Sequence, residues 1–267
     1  MTARYMTFAF LVAARGQVIA PRPSFEAFEV ATIKPARPGE VNAGRYIRMR
    51  GAQFQVKNYT VDGLIAAAYD LNPKAIFGGP AWAASERYEI TATTPGELRP
   101  VYDEQMRMLR KLLSDRFNLE FHRGKKEFAI YEITVAKGGS KLKASTAPPD
   151  EPYNITSTLY PAPGGGIGYA LLPARNVTIQ QFASVLQRAI LDRPVVDNTG
   201  LAGRFDFDLE WSPGQGEFGG ELPPAPEESR KAGIFEAMQQ QLGLKIAATR
   251  GLIDTIVIDR VDRPSQN

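Results

Sequence analysis

The feature that most constrains this chain is its likeness to itself. "KNYTVDGLIAAAYDL" from Lys57 aligns with "RNVTIQQFASVLQRAI" from Arg175, so that Asn58 falls over Asn176, Thr60 over Thr178 and Leu64 over Phe182. "ERYEITA" from Glu86 aligns with "GRFDFDL" from Gly203, which sets Arg87 over Arg204. "RFNLEFHRGKKEFAIYEITV" from Arg116 aligns with "QLGLKIAATRGLIDTIVI" from Gln241, with Phe117 over Leu242 and Ile133 over Ile258. The offset barely drifts, and steady self-similarity is the mark of a tandem duplication. Each half then serves as a control for the other, because whatever the fold requires both copies must supply.

Both copies read alike. Thr60 and Thr178 are N-caps for helices over 61–70 and 179–190, whose apolar residues recur at helical spacing. A strand follows at 87–93 or 204–211. Next comes an amphipathic helix, 103–116 with Met106, Leu109, Leu112 and Leu113, or 230–241 with Ile234, Phe235 and Met238. Two strands close each half, 118–122 with 128–136 and 244–248 with 253–261, and Gly124 or Gly251 supplies the turn between them. The expected fold is α+β: a βαβ-type unit present twice, with helices packed on mainly antiparallel sheets. The expected divisions are a signal-like or flexible segment at 1–24, a first repeat at 25–145, a linker at 146–175 with a strand near 167–174, and a second repeat at 176–267.

Composition bounds the chemistry. The chain of 267 residues is 43% apolar and 23% charged, as ordinary soluble domains are. A formal charge of +3 without a basic run argues against nucleic acid as partner. It has no cysteine, which excludes disulfides, thiolate metal sites and Cys nucleophiles, and a single histidine, His122. Metal chemistry would therefore run on oxygen ligands. The start, "MTARYMTFAFLVAARGQVIAPRPS", sets Arg4 ahead of the apolar run Met6 to Ala14 and resembles a short secretory signal, so a secreted or periplasmic location is expected. That run is too short to span a membrane, and no other segment is long enough.

The motifs "FEVATIKP", "NYTVDGLIAAAYDL", "GGPAWAASERYEITA", "LLSDRFNLEFHR", "YEITVAKGGSKLK" and "RPVVDNTGLAGRFDFDLEW" run in order from Phe28 onward. Together with the C-terminal "QLGLKIAATRGLIDTIVIDRVDRPSQN" they resemble a DUF3738-like bacterial family of unknown function, soil-associated and abundant in Acidobacteria. Each half also resembles the short N-terminal domain of secretins and TonB-dependent receptors. The resemblance implies fold and an envelope location more than chemistry.

"RFDFDLEW", from Arg204 to Trp211, alternates an apolar face with Asp206, Asp208 and Glu210. Opposite them in the first half stand Glu89, Thr91 and Thr93, so the scaffold needs a polar face but not three acids. Residues two apart on a strand lie about 6.7 Å apart, so two such carboxylates can reach one calcium ion at about 2.4 Å, joined by Asp197 of "VVDNTG". The competing expectation is a solvated face neutralised by cross-strand Lys or Arg. His122 lies over Ala247, so the scaffold does not demand an imidazole there, and it is a candidate general base. No G-x-S-x-G elbow is present, which argues against a conventional serine hydrolase. "PGGGIG" lacks the Lys of a phosphate loop and reads as a turn. Trp82 and Trp211 either line an apolar pocket or pack against a helix. Arg87 and Arg204 recur, which suggests a structural role such as a repeated ion pair. The loop "SPGQGEFGGELPPAPEES" has no counterpart in the first half and is either functional or a surface insertion.

Two functions from different classes fit these residues. One is a calcium-dependent hydrolase of small esters or lactones, with Asp206 and Asp208 on the metal, joined by Glu210 or Asp197, and His122 or a carboxylate such as Asp206 moving the proton. The other is a non-catalytic envelope module that binds a ligand or a protein through edge strands and the cleft between halves.

Overall fold

The computed structural model describes residues 24–37, 45–148, 151–163, 165–220, 222, 225–227 and 230–264. The signal-like stretch lies outside them apart from Ser24. The chain is mixed α/β, with mostly antiparallel sheets and few helices. In chain order the elements are β1 (Val30–Pro35), β2 (Tyr46–Arg50), β3 (Gln53–Thr60), α1 (Val61–Tyr69), β4 (Ile76–Gly78), α2 (Ala81–Ser85), β5 (Arg87–Thr93), α3 (Tyr102–Phe117) and β6 (Glu120–Val135). There follow β7 (Lys143–Ala144), β8 (Asn154–Ile155), β9 (Thr158–Pro161), β10 (Ile167–Val177), α4 (Ile179–Val185), β11 (Val195–Asp197), β12 (Phe205–Trp211), α5 (Ile234–Ala237) and β13 (Leu244–Arg260). Among the described residues no helix is long and apolar enough to cross a membrane.

The strands form three sheets, ordered β1-β5-β3-β2, β7-β12-β10-β8 with β9 also on β10, and β11-β6-β13-β4. The first sheet turns Phe54, Val56, Tyr88 and Ile90 inward onto Leu64 and Ile65 of α1 and Leu109 and Leu113 of α3. The second turns Leu172, Ala174, Leu209 and Trp211 onto Phe182 of α4 and onto Ile234, Ala237 and Met238. Their alternating burial follows from the two-residue period of a strand.

Local devices recur in both halves. The Thr60 hydroxyl accepts from Gly63 N at 3.1 Å and that of Thr178 from Gln181 N at 3.2 Å, capping α1 and α4 as expected. Asn58 and Asn176 both take left-handed backbone, φ 61° and 58°, where β3 and β10 slip register against their partners. An extra residue there bulges the strand, and Asn tolerates this conformation better than most residues. Arg87 and Arg204 donate to the carbonyls of these same asparagines, so their shared role is a side-chain bond to backbone and not the expected ion pair.

The expected hairpins at Gly124 and Gly251 are not formed. β6 and β13 are each continuous, and they pair antiparallel with one another from Leu244 opposite Val135 to Arg260 opposite Glu120. Neither glycine has positive φ. Their small size serves close cross-strand contact instead: a Cβ on Gly251 would meet Ile130 Cδ1 at 2.7 Å, and one on Gly124 would meet Thr255 Oγ1 at 3.1 Å. Each long strand also runs from one core to the other. Ile256 and Ile258 pack in the first, and Leu244, Ile246 and Ile133 in the second. The short strands exchange too, since β4 lies parallel to β13 and β11 parallel to β6. The segment expected as a linker contains β8, β9 and most of β10.

Candidate functional site

The acid row has neighbours on every member. Asp206 Oδ1 accepts from Asn176 N at 2.7 Å, and Asp206 stands opposite Lys143 in register. Asp208 pairs with Arg175 at 2.8 Å, and Glu210 pairs with Lys231. Asp197 lies in a different sheet, at the end of β11, where its Oδ1 accepts from Thr199 N and Oγ1. His122 is on β6 with its Nδ1 2.8 Å from Asp259 Oδ1, and both side chains are open to solvent. Among the described residues no three His, Asp or Glu side chains converge as a metal-ligating group. The residues singled out from sequence are thus spread over two sheets, with the row of three the only set brought together.

Trp211 is fully buried and donates its indole N–H to Glu217 Oε2 at 2.6 Å. Glu217 comes from the loop unique to the second half; its Oε1 accepts from Gly214 N, and burial pushes its carboxyl above the usual range. Residues 165–166 close the β9–β10 turn with positive φ, as the glycine run suggested. Trp82 packs at the edge of the first core beneath the Arg263 guanidinium.

A different site lies where the halves meet. α1 ends on Asp70, whose φ of 58° and ψ of 45° let its N–H cap the helix and turn the chain back. This non-glycine residue in the left-handed region marks a constrained position. α4 runs into a π-helical turn, Leu186–Ile190, a distortion often found at functional sites. Ser184 donates its hydroxyl to Asp70 Oδ2, Gln187 Nε2 donates to Asp70 O at 2.8 Å, and Asn72 Nδ2 donates to Gln187 O at 2.6 Å. These bonds fix the spacing between α1 and α4.

The cleft they frame measures about 280 Å³, just below the roughly 300–1,000 Å³ usual for small-molecule pockets. Ala67, Ala68 and Met106 form an apolar floor, and Tyr102 and Tyr153 form an aromatic wall with ring centroids 6.1 Å apart. The Arg188 guanidinium lies 4.8 Å over the Tyr102 ring. Burial pushes the Tyr102 phenol up to about 12, against the opposing pull of Arg188, and burial raises Tyr153 as well. Both therefore remain hydrogen-bond donors at neutral pH. Tyr102 Oη, Asp70 Oδ1 and Arg188 Nε are buried with no hydrogen-bond partner, the last two 4.0 Å apart. Among the described lining residues two acids, Asp70 and Asp103, balance two bases, Arg110 and Arg188.

Sequence reasoning named none of these polar side chains, and of the floor only Met106, as a helix-core residue. Asp70 and Arg188 each sit inside a matched helix and carry no local motif. Only the expectation of a cleft between the halves pointed toward them.

Fold and cleft together define a two-core α/β protein with a polar, charge-balanced pocket at the junction of its halves. The chain belongs to the family described as "Protein of unknown function (DUF3738)", which matches residues 62–261. No curated protein and no solved structure matches it.

Proposed function

We propose that the protein binds a small uncharged ligand in the cleft between its halves, a molecule with an apolar body and carbonyl or hydroxyl oxygens. One observation carries the reading: Tyr102 Oη, Arg188 Nε and Asp70 Oδ1 line that cleft without a hydrogen bond, the last two meeting only as a loose ion pair 4.0 Å apart. A buried polar atom left unbonded costs about 1–3 kcal/mol, so three at one pocket favour a ligand that satisfies them. The balance of two acids and two bases favours an uncharged molecule. Small esters and lactones have the right size and acceptor chemistry.

Two wider inferences accompany this one. The repeated Asn, Thr and Arg devices support descent of both halves from one duplicated unit. The signal-like start, the Acidobacteria-rich soil family it resembles and the likeness of each half to secretin and TonB-receptor modules support an extracytoplasmic binding role.

Calcium-dependent ester or lactone hydrolysis is supported less well. A cation on Asp206, Asp208 and Glu210 would have to displace Asn176 N–H, Arg175 and Lys231.

The test is thermal melting and titration with a panel of small lactones, esters and phenols. A ligand specific to the folded state raises the midpoint. Tyr102→Phe, which deletes an unpartnered hydroxyl, should leave the free protein as stable or more so, yet weaken ligand binding about 5- to 10-fold, the worth of one hydrogen bond. Equal binding by Tyr102→Phe and Arg188→Gln would remove the cleft from consideration, and turnover of the ester would replace binding with catalysis.

A further inference from the structure

The outer face of the first sheet forms a second site. β2 is an edge strand, and its Tyr46, Arg48 and Arg50 share the face turned away from α1 and α3. Arg48 and Arg50 are two residues apart, about 6.7 Å along the strand. With Arg37 they rim a shallow cavity of about 390 Å³ whose floor carries Gln55 and Thr91. Glu89 is the only acid among its described lining residues.

The Arg48 guanidinium is ordered by neutral neighbours. Arg48 donates Nε to Gln55 Oε1 and Nη2 to Tyr46 Oη, each at 3.2 Å, and its guanidinium stacks 4.1 Å over the Tyr46 ring. Among the described residues no ion pair engages Arg37, Arg48 or Arg50. Elsewhere on the surface most arginines are paired with carboxylates, as Arg175, Arg230, Arg250, Arg260 and Arg263 are. Among the described residues the face therefore offers positive charge without a paired carboxylate, that of Arg48 held in place.

We propose that this face binds an acidic polysaccharide, a chain of sugars bearing carboxylates. A planar guanidinium matches a carboxylate in two-pronged geometry. Gln53, Gln55, Thr91 and Thr93, neighbours across the central strands, supply donors and acceptors for sugar hydroxyls. Two alternatives fit the face less well. Single-stranded nucleic acid needs aromatic rings open for base stacking, and the Tyr46 ring is covered by Arg48. A membrane surface needs apolar side chains to insert, and these residues present none.

The test is affinity of the full chain for polygalacturonate at several salt concentrations, beside a single-stranded oligonucleotide and anionic vesicles. Arg37→Gln/Arg48→Gln/Arg50→Gln should weaken polygalacturonate binding about tenfold or more and flatten its salt dependence. Lys137→Gln/Lys143→Gln/Lys245→Gln, which removes equal charge from exposed positions elsewhere, should change it less than about twofold. No binding, equal loss in both variants, or tighter binding to the oligonucleotide or vesicles would overturn the proposal.

Discussion

The guanidinium of Arg204 donates to the carbonyl oxygen of Asn176 across 2.8 Å, holding a bulge whose central residue has φ 58°. Around the same residue, Asn176 N donates to Asp206 and its side-chain amide donates to Glu151 O at 2.6 Å. Asn176 is thus bonded on three sides, and Arg204 supplies the charged donor to its carbonyl. Arg204→Gln should lower stability by about 1–2 kcal/mol, the range for a partly exposed bond from a charged group. Urea denaturation gives the answer, and a midpoint equal to that of the unsubstituted protein would mean that the bulge holds itself.

Asp208 and Arg175 form an exposed pair, which solvent screens. Asp208→Asn should cost no more than about 1 kcal/mol. Calcium, compared with a chelator, should leave the melting midpoint unchanged, because the row's carboxylates already have partners. A calcium-dependent rise that disappears in Asp206→Asn and Asp208→Asn would restore the cation reading.

Glu217 carries the pH dependence of the second core. Burial raises its carboxyl above the ordinary 4.5, while bonds from Trp211 and Gly214 oppose the shift. Below about 4.5 the folded and unfolded chains both hold the proton. As pH rises the unfolded chain releases it first, so this group favours unfolding increasingly until its folded value is passed, and stays level above that. The stability of the native protein relative to Glu217→Gln should therefore fall as the pH rises from about 4.5 until the raised folded value is passed. Paired urea titrations across that range measure it, and a constant difference would show that the buried carboxylate ionises without penalty.

Two glycines should respond very differently to Ala. Gly243 has φ 66°, and a Cβ there would lie 2.2 Å from the backbone oxygen of Gly139, so Gly243→Ala should cost at least about 2–3 kcal/mol. Gly251 has ordinary strand backbone, and its added Cβ would meet only the end of the Ile130 side chain, which can rotate. Gly251→Ala should stay within about 1 kcal/mol. Denaturation midpoints separate the two, and equal losses would show that the long strands pack more rigidly than their geometry suggests.

Much of the local structure could be read from the residues. Helix caps at Thr60 and Thr178, the strand at 87–93 and the helix expected at 103–116 all form within a residue or so of expectation, because hydroxyl caps and apolar period act within a few positions. The second halves of the later helices were less legible. α4 and α5 give way to π-helical turns at Leu186–Ile190 and Met238–Leu242, which an apolar helical period does not distinguish from continued α-helix. Gly124 and Gly251 misled for a related reason: glycine marks both turns and close contacts, and only the neighbouring strand distinguishes them.

Sequence alone determined the capped helices after Thr60 and Thr178, the alternating strands at 87–93 and 204–211, and the acid row that only the second strand carries, since each depends on residues near one another in the chain. Only the tertiary structure decided that β6 and β13 span both cores, that the acid row meets Arg175 and Lys231, and that Asp70, Tyr102 and Arg188 surround one cleft. Those relationships join positions up to more than a hundred residues apart, as the Ser184–Asp70 bond does, and are set by how whole elements pack, which no local pattern encodes.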